Sequence, residues 1–452
     1  MDDIRISVIG MGYVGLASGM GYAKHGFKTI VTATTPSKVE GLNKGLSPFY
    51  EPELGDLVKT EVERGMLSAT LDNIEAIKQS DVTFICVGTP SLPDGSADLS
   101  AVEAVSKQVG LAIKDKEGFH VVSTKSTVVP GTTENLVLPI VEKYSGKKAG
   151  VDFGLVMNPE FLRQGQAVHD SLNPDRIVIG EQTSRAGEII HEIYKNYKTD
   201  TGEPVPILHV EMRAAELIKY AANSLLATKI TFANEFSRIC ERFNIDVYEV
   251  MKGVGLDFRV NPMFLNAGCG FGGSCFPKDV NAIVALAKQI GVETPLMDAV
   301  LYTNDLQPMH LVDLIRDTVG GAGSLQGKQI AFLGLSFKPD TDDTRATRAL
   351  PIIEKLYEEG ATVKAYDPKA YYKFKPLTDL PIGYMDSIDE ALEGADFAVV
   401  QSDWEEIKNI PASKFRDLMK NALVIDGRRS YDPMKLIDGG VTYKGIGWKN
   451  KD

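Results

Sequence analysis

The sequence predicts an α/β protein with two Rossmann-like parallel-sheet domains, joined by a central helical region that includes a long connecting helix. Three observations support this fold class. Short apolar runs alternate with helical patterns in both the first and the last third of the chain. Between them, from about Glu211 to Val254, apolar residues recur at helical spacing, with no Pro or Gly for about forty residues. The strand-then-glycine pattern of the N-terminus then recurs at 328–337.

The N-terminal third is a predicted series of βαβ units. The run IRISVI at 4–9 predicts a buried parallel strand, an Ala- and Gly-rich helix follows as far as Lys24, and FKTIVTA predicts a second strand. Further strands are predicted at 82–87, 120–125 and 177–181. Strands that alternate with helices in this way indicate a parallel sheet, because parallel strands need a crossover connection.

The rest of the chain is predicted to form a helical middle and a second α/β domain. Shorter helices are expected after the long one, through Gln307, and the Gly-rich segment 319–327 marks a linker. After the linker, the runs ATVKAYDP, DFAVVQSD and ALVIDGR predict three more strands. We therefore place the three parts of the chain at 1–205, 206–310 and 311–452.

Composition and charge limit the class of protein. The chain has 452 residues, of which 43% are hydrophobic and 24% charged, and this is ordinary for a globular protein with more than one domain. A net charge of -12 disfavours nucleic acid and anionic membrane surfaces as partners. The four cysteines show no CxxC spacing and the six histidines form no HxxxH cluster, so neither a disulfide framework nor a metal site is predicted. The N-terminus lacks a signal-peptide pattern and no apolar run reaches the about 20 residues of a membrane span, so we expect a cytoplasmic protein.

A glycine-rich loop directly follows the first predicted strand. Gly10, Gly12 and Gly15 fit the pattern GxGxxG, with Tyr13 and Val14 between the last two glycines. The loop opens a predicted helix and leads to a second strand, which is the context that distinguishes this motif from a plain tight turn. Glycines there let the backbone approach a pyrophosphate, which the helix N-terminus stabilises. The loop therefore predicts a dinucleotide cofactor.

The end of the second strand leaves the choice between NAD and NADP open. An acid at this position normally accepts hydrogen bonds from the adenosine ribose, but the sequence has Ala33 there. Without a carboxylate a ribose phosphate is not repelled, and Thr34, Thr35, Ser37 and Lys38 are available as donors. The alternative is that Ala33 merely weakens the binding of NAD. The cofactor is therefore predicted to be NAD(P), with neither form favoured.

The segment GFGGSCFPKD at 270–279 places one cysteine after several glycines. Their bare backbone lets substrate and cofactor come close to the thiol of Cys275, and Lys278 is expected to favour its thiolate form. We therefore predict that Cys275 is a covalent nucleophile. The other cysteines are predicted to be small buried side chains: Cys86, Cys240 and Cys269.

A series of motifs that spans nearly the whole chain resembles the UDP-glucose/GDP-mannose dehydrogenase family. The motifs are GMGYVGL (10–16), CVGTP (86–90), STKSTVVPGTT (123–133), NPEFLRQG (158–165), AAELIKYAAN (214–223), GFGGSCFPKD (270–279), GLSFKPDTDDTR (334–345) and DGRR (426–429). The resemblance implies a dinucleotide-binding N-terminal domain, a central dimerisation region, a UDP-binding C-terminal domain, and an active site between the lobes. It also implies an enzyme that oxidises the primary alcohol of a nucleotide sugar to an acid, with two hydride transfers to NAD(P).

The resemblance further implies a covalent route and a role for each site residue. Cys275 would hold the intermediate aldehyde as a thiohemiacetal, and the thioester formed by the second oxidation would be hydrolysed by water. Lys219 and Asn223 lie four residues apart on one helix face and would stabilise an oxyanion. Asp279, with Lys219, would deprotonate the alcohol through water, and Glu160 would activate the hydrolytic water. The family's site threonine corresponds to Thr127.

The binding residues implied by the resemblance are distributed over the whole chain. Substrate contacts are expected from Glu160, Phe161, Leu162, Arg163, Lys219, Asn223, Phe264, Leu265, Asn266, Gly272, Cys275, Phe337, Lys338 and Arg429. Cofactor contacts are expected from Gly10, Gly12, Tyr13, Val14, Gly15, Ala33, Thr34, Thr35, Lys38, Thr89, Thr127, Glu160, Lys278 and Arg345. Lys338 and Arg429 supply the cations that a diphosphate requires. Arg259 resembles an arginine that reaches the neighbouring subunit's site, so a homodimer or larger homo-oligomer is expected.

Departures from the family pattern bear on the substrate. Gln164 stands where many members carry a second glutamate, and GGSC replaces the GGHC typical of relatives that form N-acetylmannosaminuronate. We therefore predict four-electron oxidation of UDP-glucose to UDP-glucuronate, with GDP-mannose or a UDP-N-acetylhexosamine as the alternative substrate. A two-electron hydroxy-acid dehydrogenase would need no cysteine segment. A non-catalytic nucleotide-sugar sensor would be indicated by the loss of Cys275, Glu160 or Lys219, and all three are present.

Overall fold

The computed structural model describes residues 4–321 and 323–449, and these form two compact units. The first unit contains the described residues up to Ala222 together with Asn281–Ile290. The second unit contains Asn223–Val280 and the described residues from Gly291 onward.

The first unit is built on an eight-stranded sheet. Its strands are β1 (Ile6–Ile9), β2 (Thr29–Thr32), β3 (Leu67–Thr70), β4 (Val82–Ile85), β5 (His120–Thr124), β6 (Phe153–Met157), β7 (Ile177–Glu181) and β8 (Ile207–Val210). Their order is β3-β2-β1-β4-β5-β6-β7-β8, and neighbouring strands run parallel except β6 and β7. In the central strand, Ile6 pairs with Thr29 on one side and Val82 on the other. Every residue of β1, β4 and β5 is buried, because helices cover both faces of such a sheet.

The second unit is built on a six-stranded parallel sheet. Its strands are β9 (Gln329–Leu333), β10 (Thr362–Tyr366), β11 (Gly383–Tyr384), β12 (Phe397–Val400), β13 (Leu423–Asp426) and β14 (Thr442–Gly445). Their order is β11-β10-β9-β12-β13-β14. All of these pairs are parallel. Ile330, Phe332, Val399 and Ile425 form the centre of its core.

Helices connect the strands of both sheets and form the middle of the chain. The helices before the middle are α1 (Tyr13–Lys24), α2 (Pro36–Asn43), α3 (Leu54–Glu63), α4 (Asn73–Lys78), α5 (Ser100–Ile113), a π-helix (Thr133–Val137), α6 (Leu138–Ser145), α7 (Ala167–Leu172) and α8 (Ser184–Tyr194). The middle contains α9 (Met212–Phe243), α10 (Val247–Gly255), α11 (Phe276–Gln289) and α12 (Pro295–Val319). The last helices are α13 (Ala349–Glu358), α14 (Tyr371–Phe374), a 3-10 helix (Lys375–Leu377), α15 (Ile388–Leu392), α16 (Glu405–Lys408), α17 (Ala412–Leu418) and α18 (Pro433–Asp438).

The long helix α9 ends earlier than the apolar periodicity suggested. It stops at Phe243, and a separate helix begins at Val247. Asn244 adopts a left-handed conformation with φ 55°, which a helix cannot continue through. Asp246 then caps the new helix by accepting a hydrogen bond from the backbone N–H of Tyr248. Asn244 and Asp246 therefore divide the periodic stretch into two helices, α9 and α10.

The predicted fold class is confirmed: two parallel-sheet α/β domains are present, with a long helix between them in sequence. The boundaries at 1–205, 206–310 and 311–452 stay a prediction, because the compact units divide within α9. Among residues 4–321 and 323–449, no helix is both long enough and apolar enough to cross a membrane.

Candidate active site

The loop after β1 is shaped by close backbone contacts. Gly10 has φ 117°, and a Cβ there would lie 2.6 Å from the carbonyl oxygen of Cys86. A Cβ at Gly15 would lie 1.8 Å from the carbonyl oxygen of Gly10. At Gly12, the residue before α1, a Cβ would meet nothing within 4 Å. The loop therefore leaves open space beside a helix N-terminus, which fits the pyrophosphate of a dinucleotide.

The end of β2 carries hydroxyls and an amine but no carboxylate. Ala33 is half-buried, and its N–H donates to the carbonyl oxygen of Thr70 at 3.2 Å. Thr34, Thr35 and Lys38 are exposed, and Thr35 immediately precedes α2. Their side chains can donate to an anion, so this end of β2 fits a ribose phosphate as well as a ribose.

The loops after β4 and β5 are joined by a side-chain hydrogen bond. Thr89 Oγ1 donates to the carbonyl oxygen of Thr127 at 2.8 Å, and Thr89 is buried. Both loops follow the carboxyl ends of parallel strands, β4 next to β1 and β5 next to β4, where ligands bind in open α/β sheets. The structure thus places Thr89 and Thr127 at the sheet edge that carries the glycine loop.

Glu160 and Lys219 form a buried ion pair. Glu160 Oε1 lies 3.2 Å from Lys219 Nζ, and their side chains are only 6% and 4% exposed. The second carboxylate oxygen of Glu160 accepts a hydrogen bond from the N–H of Leu162 at 2.6 Å. Removing two charges from water is costly, and such pairs are therefore weak evidence for stability and common at functional sites.

Two residues that follow Glu160 have other neighbours. The ring of Phe161 lies beneath the guanidinium of Arg176 at 3.7 Å and the ammonium of Lys219 at 5.4 Å. Arg163 forms an ion pair with Asp170 at 2.6 Å, and this hydrogen bonding raises the pKa of Arg163. The predicted substrate residue Arg163 is therefore already held by a carboxylate.

Cys275 differs from the other three cysteines in its exposure. It is partly exposed and directly precedes α11, where its carbonyl oxygen accepts the N–H of Asp279 at 2.8 Å. Cys86, Cys240 and Cys269 are buried, as predicted. Burial raises the pKa of Cys86 to about 12 and that of Cys269 to about 11, so both remain protonated thiols at neutral pH. The sulfur at the start of α11 is the accessible one among the four.

Asp279 lies one turn after Cys275 and is fully engaged by its neighbours. Asn223 Nδ2 donates to Asp279 Oδ2 at 2.6 Å, and the ammonium of Lys278 pairs with Oδ1. Asp279 is 1% exposed. The structure thus brings Asn223, Lys278 and Asp279 together, within the second unit, beside the residue that carries the thiol.

The glycines before Cys275 make room for another loop of the protein. A Cβ at Gly272 would lie 2.3 Å from the carbonyl oxygen of Ala346, and one at Gly273 would lie 2.6 Å from the ring of Phe337. The N–H of Gly273 also donates to the carbonyl oxygen of Arg345 at 2.9 Å. Packing within the second unit thus accounts for these glycines, which the sequence reasoning attributed to the approach of ligands.

The remaining predicted contacts occupy varied positions in the second unit. Lys338 lies over the ring of Phe337 at 5.9 Å, and Arg345 pairs with Asp343 at 2.6 Å. Arg259 pairs with Asp257, and its side chain is 76% exposed. Of the neighbouring predicted residues, Leu265 is buried, Asn266 is exposed, and Phe264 has φ 67°.

The two arginines of the DGRR motif have different surroundings. Arg429 forms two hydrogen bonds to Asp246, at 2.9 and 3.0 Å, and its guanidinium lies between the rings of Tyr248 and Trp448. Arg428 instead donates to the carbonyl oxygen of Gly270, in the cysteine segment, at 3.1 Å. It also donates to the carbonyl oxygens of Phe337 (3.2 Å) and Gln401 (2.7 Å). The sequence reasoning missed Arg428, because the motif gives no signal as to which of two adjacent arginines faces the site.

A buried lysine near Glu160 was also missed. Lys125, at the end of β5, is 6% exposed and donates to Asn158 Oδ1 at 2.9 Å. It lines a small cavity together with Glu160 and Phe161. The only sequence signal was its place in the STKSTV motif. In residues 4–321 and 323–449 there is no group of three or more His, Cys, Asp or Glu side chains that could hold a metal ion.

An open glycine loop between the first strand and a helix, on a parallel sheet of this topology, is typical of a dinucleotide-dependent oxidoreductase. Comparison with known proteins narrows the class. The NAD binding domain of the UDP-glucose/GDP-mannose dehydrogenase family matches residues 4–198, its central domain matches 213–306, and its UDP binding domain matches 331–433. The chain therefore belongs to the UDP-glucose/GDP-mannose dehydrogenase family, and it is a nucleotide-sugar dehydrogenase.

Individual relatives cover almost the whole chain. The UDP-glucose 6-dehydrogenase TuaD of Bacillus subtilis is 42% identical over 443 residues, covering 98% of this chain and 93% of the relative. The UDP-glucose 6-dehydrogenase AglM of Haloferax volcanii is also 42% identical, covering 94% and 97%. A UDP-glucose dehydrogenase structure from Pyrobaculum islandicum has a TM-score of 0.88 at 37% identity, covering 99% and 98%. The structure of a UDP-D-ManNAc dehydrogenase from Pyrococcus horikoshii has a TM-score of 0.84 at 27% identity, covering 98% and 99%.

These comparisons confirm the predicted family, the enzyme class and a dinucleotide cofactor. They also support a UDP-sugar as substrate, through the UDP binding domain. The roles of the individual site residues, the exact sugar and the form of the cofactor stay predictions.

Proposed function

We propose that the protein oxidises UDP-glucose to UDP-glucuronate in two steps, with Cys275 as the covalent nucleophile. The observation that carries the proposal is the placement of this thiol: it alone of the four cysteines is accessible, and it begins a helix whose first turn contains Asp279. Relatives that are 42% identical are named UDP-glucose 6-dehydrogenases. The named UDP-D-ManNAc dehydrogenase is only 27% identical.

The proposed chemistry assigns the bond changes at C6 of the sugar to the thiol. The loop Gly10–Gly15 would hold the nicotinamide cofactor, whose chemistry would be hydride acceptance: two cofactor molecules, bound one after the other, would each take one of the two hydrides released when a primary alcohol is oxidised to a carboxylate. Between the two oxidations C6 is an aldehyde, and the sulfur of Cys275 adds to its carbonyl carbon to give a thiohemiacetal. After the second oxidation C6 is a thioester. Attack by water breaks the C–S bond, releases the carboxylate and returns the thiol.

Four of the predicted site residues are proposed to move protons and stabilise charge. Asn223 uses one amide N–H on Asp279, so its second N–H is available for an oxyanion. Lys219 supplies a buried positive charge 3.2 Å from Glu160, whose carboxylate is proposed to take a proton from the hydrolytic water. Asp279 is proposed to accept the proton of the alcohol through a water molecule.

Replacing the thiol tests this proposal directly. Cys275→Ala should form no UDP-glucuronate, and Cys275→Ser should lose at least about a thousandfold in turnover, because a serine is a far weaker nucleophile without an activating base. The matched control is Cys240→Ala, at a buried cysteine, which should retain the wild-type rate. Chromatography of the products and the ratio of reduced cofactor to acid are the measurements. Wild-type turnover in Cys275→Ala, or a ratio of one in the wild type, would refute the covalent four-electron route.

A substrate panel tests the choice of sugar. UDP-glucose, GDP-mannose, UDP-N-acetylmannosamine and UDP-N-acetylgalactosamine are each supplied with NAD and with NADP. The proposal requires the highest kcat/KM with UDP-glucose. A higher kcat/KM with any of the other three would replace it.

We also propose that the protein forms a homodimer through α9. Leu225, Phe232, Ile239 and Phe243 are between 42% and 73% exposed, and they recur on one face of this helix. A seven-residue apolar repeat of this kind is typical of a helix that packs against a partner helix. Sedimentation velocity is the test, and a monomer at micromolar concentration contradicts this proposal.

The proposed compartment is the cytoplasm. None of the four cysteines forms a disulfide, and Cys275 is accessible, which is typical of proteins kept in a reducing environment. Fractionation of cells that produce the protein, with detection by antibody, checks this assignment.

A further inference from the structure

We propose that Asn304, in the interior of α12, is a positioning residue that fixes the cysteine segment and thereby places the thiol of Cys275. This inference rests on the proposed function of Cys275 as the nucleophile. It concerns a side chain that belongs to none of the motifs described above.

Asn304 binds both polar backbone groups of one residue in the segment. Its Oδ1 accepts the N–H of Phe271 at 2.7 Å, and its Nδ2 donates to the carbonyl oxygen of Phe271 at 3.1 Å. Asn304 is 2% exposed and Phe271 5% exposed. Buried amide groups need such partners, and the carboxamide supplies a donor and an acceptor in the same plane. Phe271 is therefore held as firmly as a residue paired within a sheet.

A proline inside helix α12 lies one turn after Asn304, where the segment comes close. Pro308 lies four residues after Asn304 and has no N–H, so the carbonyl oxygen of Asn304 receives no helical hydrogen bond from it. Gly270, with φ 97°, passes at this point. A Cβ at Gly270 would lie 2.8 Å from Oδ1 of Asn304 and 3.3 Å from its carbonyl oxygen. The proline and the glycine together allow the approach on which the two hydrogen bonds depend.

Other buried side chains complete the anchoring of this part of the chain. Gln307, one turn after Asn304, donates to the carbonyl oxygen of Gly268 at 2.9 Å, and Asn234 accepts the N–H of Gly268 at 2.8 Å. Arg348 donates to the carbonyl oxygen of Phe271 at 2.7 Å. The segment before Cys275 has no regular secondary structure of its own, so side chains perform the task that a strand partner would otherwise perform.

Among these contacts, the one to the N–H of Phe271 is the most critical for the thiol. Gly272 and Gly273 separate Phe271 from Ser274 and Cys275, and glycines impose little conformational restriction. The position of Cys275 is therefore set from both sides, by the start of α11 after it and by the anchored Phe271 before it. Because the N–H of Gly273 also donates to the carbonyl oxygen of Arg345 at 2.9 Å, loss of the Asn304 anchor loosens this stretch at its start and leaves that second attachment in place.

The experiment compares two variants of Asn304 with a matched control. Asn304→Leu removes both hydrogen bonds at nearly constant volume, and Asn304→Asp keeps the acceptor but loses the donor. The control is Asn43→Leu, because Asn43 makes the same pair of bonds to the N–H and carbonyl oxygen of Ala69, at 2.8 and 2.9 Å, in the first unit. The measurements are kcat, KM for the sugar nucleotide, Tm, and the rate of alkylation of Cys275 by iodoacetamide, followed by mass spectrometry.

A positioning role predicts a change that stability alone would not cause. In Asn304→Leu, kcat should fall at least about tenfold while KM stays within about threefold, since misplacement of a reacting group by about 1 Å can cost about a hundredfold in rate. The alkylation rate of Cys275 should change at least about threefold, because the thiol is no longer held in one environment. Asn304→Asp should show a smaller defect of the same kind. Asn43→Leu should lower Tm but leave kcat and alkylation unchanged.

The outcome that overturns the inference is a kcat and an alkylation rate within about twofold of wild type in folded Asn304→Leu. If that variant does not fold, the same criterion is applied to Asn304→Asp. Failure of the proposed function is recognised separately, because it is scored on turnover by Cys275→Ala, whereas alkylation reports the thiol's environment without any turnover.

Discussion

Six strands of the first sheet and the six strands of the second share one strand order, but the loops after their first strands, β1 and β9, differ in length and contacts. The six strands β3-β2-β1-β4-β5-β6 and the six strands β11-β10-β9-β12-β13-β14 follow the same sequence of crossovers. After β1, helix α1 begins at Tyr13, only four residues past Ile9. After β9, which ends at Leu333, the next helix begins only at Ala349. The loop after β1 therefore leads directly into a helix N-terminus, whereas residues 334–348 separate β9 from the next helix.

The residue at the end of the second strand strengthens this contrast. In the first unit it is Ala33, and the space beside Gly12 is open. In the second unit the corresponding acid is Asp367, whose Oδ2 accepts the N–H groups of Leu335 and Ser336 at 2.7 and 2.9 Å. The carboxylate of Asp367 thus accepts the backbone N–H groups that a bound anion would need in order to be held by this loop. This comparison indicates that the strand order determines where a ligand can bind. The loop after the first strand determines whether a ligand binds there.

The largest effect is expected when the buried carboxylate of Asp367, in the second unit, is replaced by a neutral amide. Asp367 also accepts the N–H groups of Lys369 and Ala370 through Oδ1 and is 4% exposed. In Asp367→Asn, two of these four donors would face an amide N–H, so unfolding by urea should show a loss of about 2–4 kcal/mol. Asp379→Asn, at an exposed aspartate, is the control for the charge change. A loss below about 0.5 kcal/mol would show that Asp367 is not needed to hold this loop.

The second prediction concerns the open space of the first unit. Gly12→Ala adds a methyl group that meets no protein atom within 4 Å, so Tm should stay unchanged. The methyl group would project where a pyrophosphate approaches the backbone, and the Kd of the dinucleotide should rise at least about tenfold, or about 1.4 kcal/mol. Gly55→Ala, in α3, is the matched control because its added Cβ is equally unobstructed. Calorimetric titration with NAD and NADP is the measurement. An unchanged Kd for Gly12→Ala would mean that this loop does not hold the pyrophosphate.

The smallest effect is expected when Ala33 of the first unit is replaced by an aspartate, the residue that the second unit has at the corresponding position, Asp367. Ala33→Asp should lower the NADP/NAD ratio of kcat/KM at least about fivefold, because the carboxylate repels a ribose phosphate and accepts hydrogen bonds from a ribose. Ala33→Asn is the control for size without charge. An equal loss with both cofactors would show that the new acid binds the loop amides, as Asp367 does. An unchanged ratio would remove Ala33 from the determinants of cofactor choice.

Much of the fold was predictable because it depends on local patterns. Buried strands, the GxGxxG loop and the second strand-then-glycine pattern at 328–337 are all visible in the sequence. The end of α9 was not, because the apolar periodicity continues through Asn244 and only its backbone conformation shows the break. A short polar side chain tolerates that conformation, and sequence patterns do not show when it is used.

The candidate site could be proposed from the sequence where the expected chemistry demands a residue type, as for the thiol of Cys275, whose role stays a prediction. It was not predictable where a side chain serves the backbone. Asn304, buried within a helix, resembles any polar helical residue until the segment at 268–271 is seen against it. The two arginines of DGRR show the same limit, since only the packing reveals that Arg429 is held by Asp246 while Arg428 reaches the cysteine segment.

The packing of Trp448 has a practical consequence for anyone who shortens this chain. Its ring covers the guanidinium of Arg429, and the neighbouring Gly447 donates its N–H to Glu241 at 2.7 Å and accepts that of Val247 at 2.9 Å. A truncation that removes these residues would expose the guanidinium of Arg429. It would also remove the hydrogen bonds that Gly447 makes to Glu241 in α9 and to Val247 in α10. A purification tag should therefore be attached after residue 449 through a spacer, and it should not replace Gly447 or Trp448.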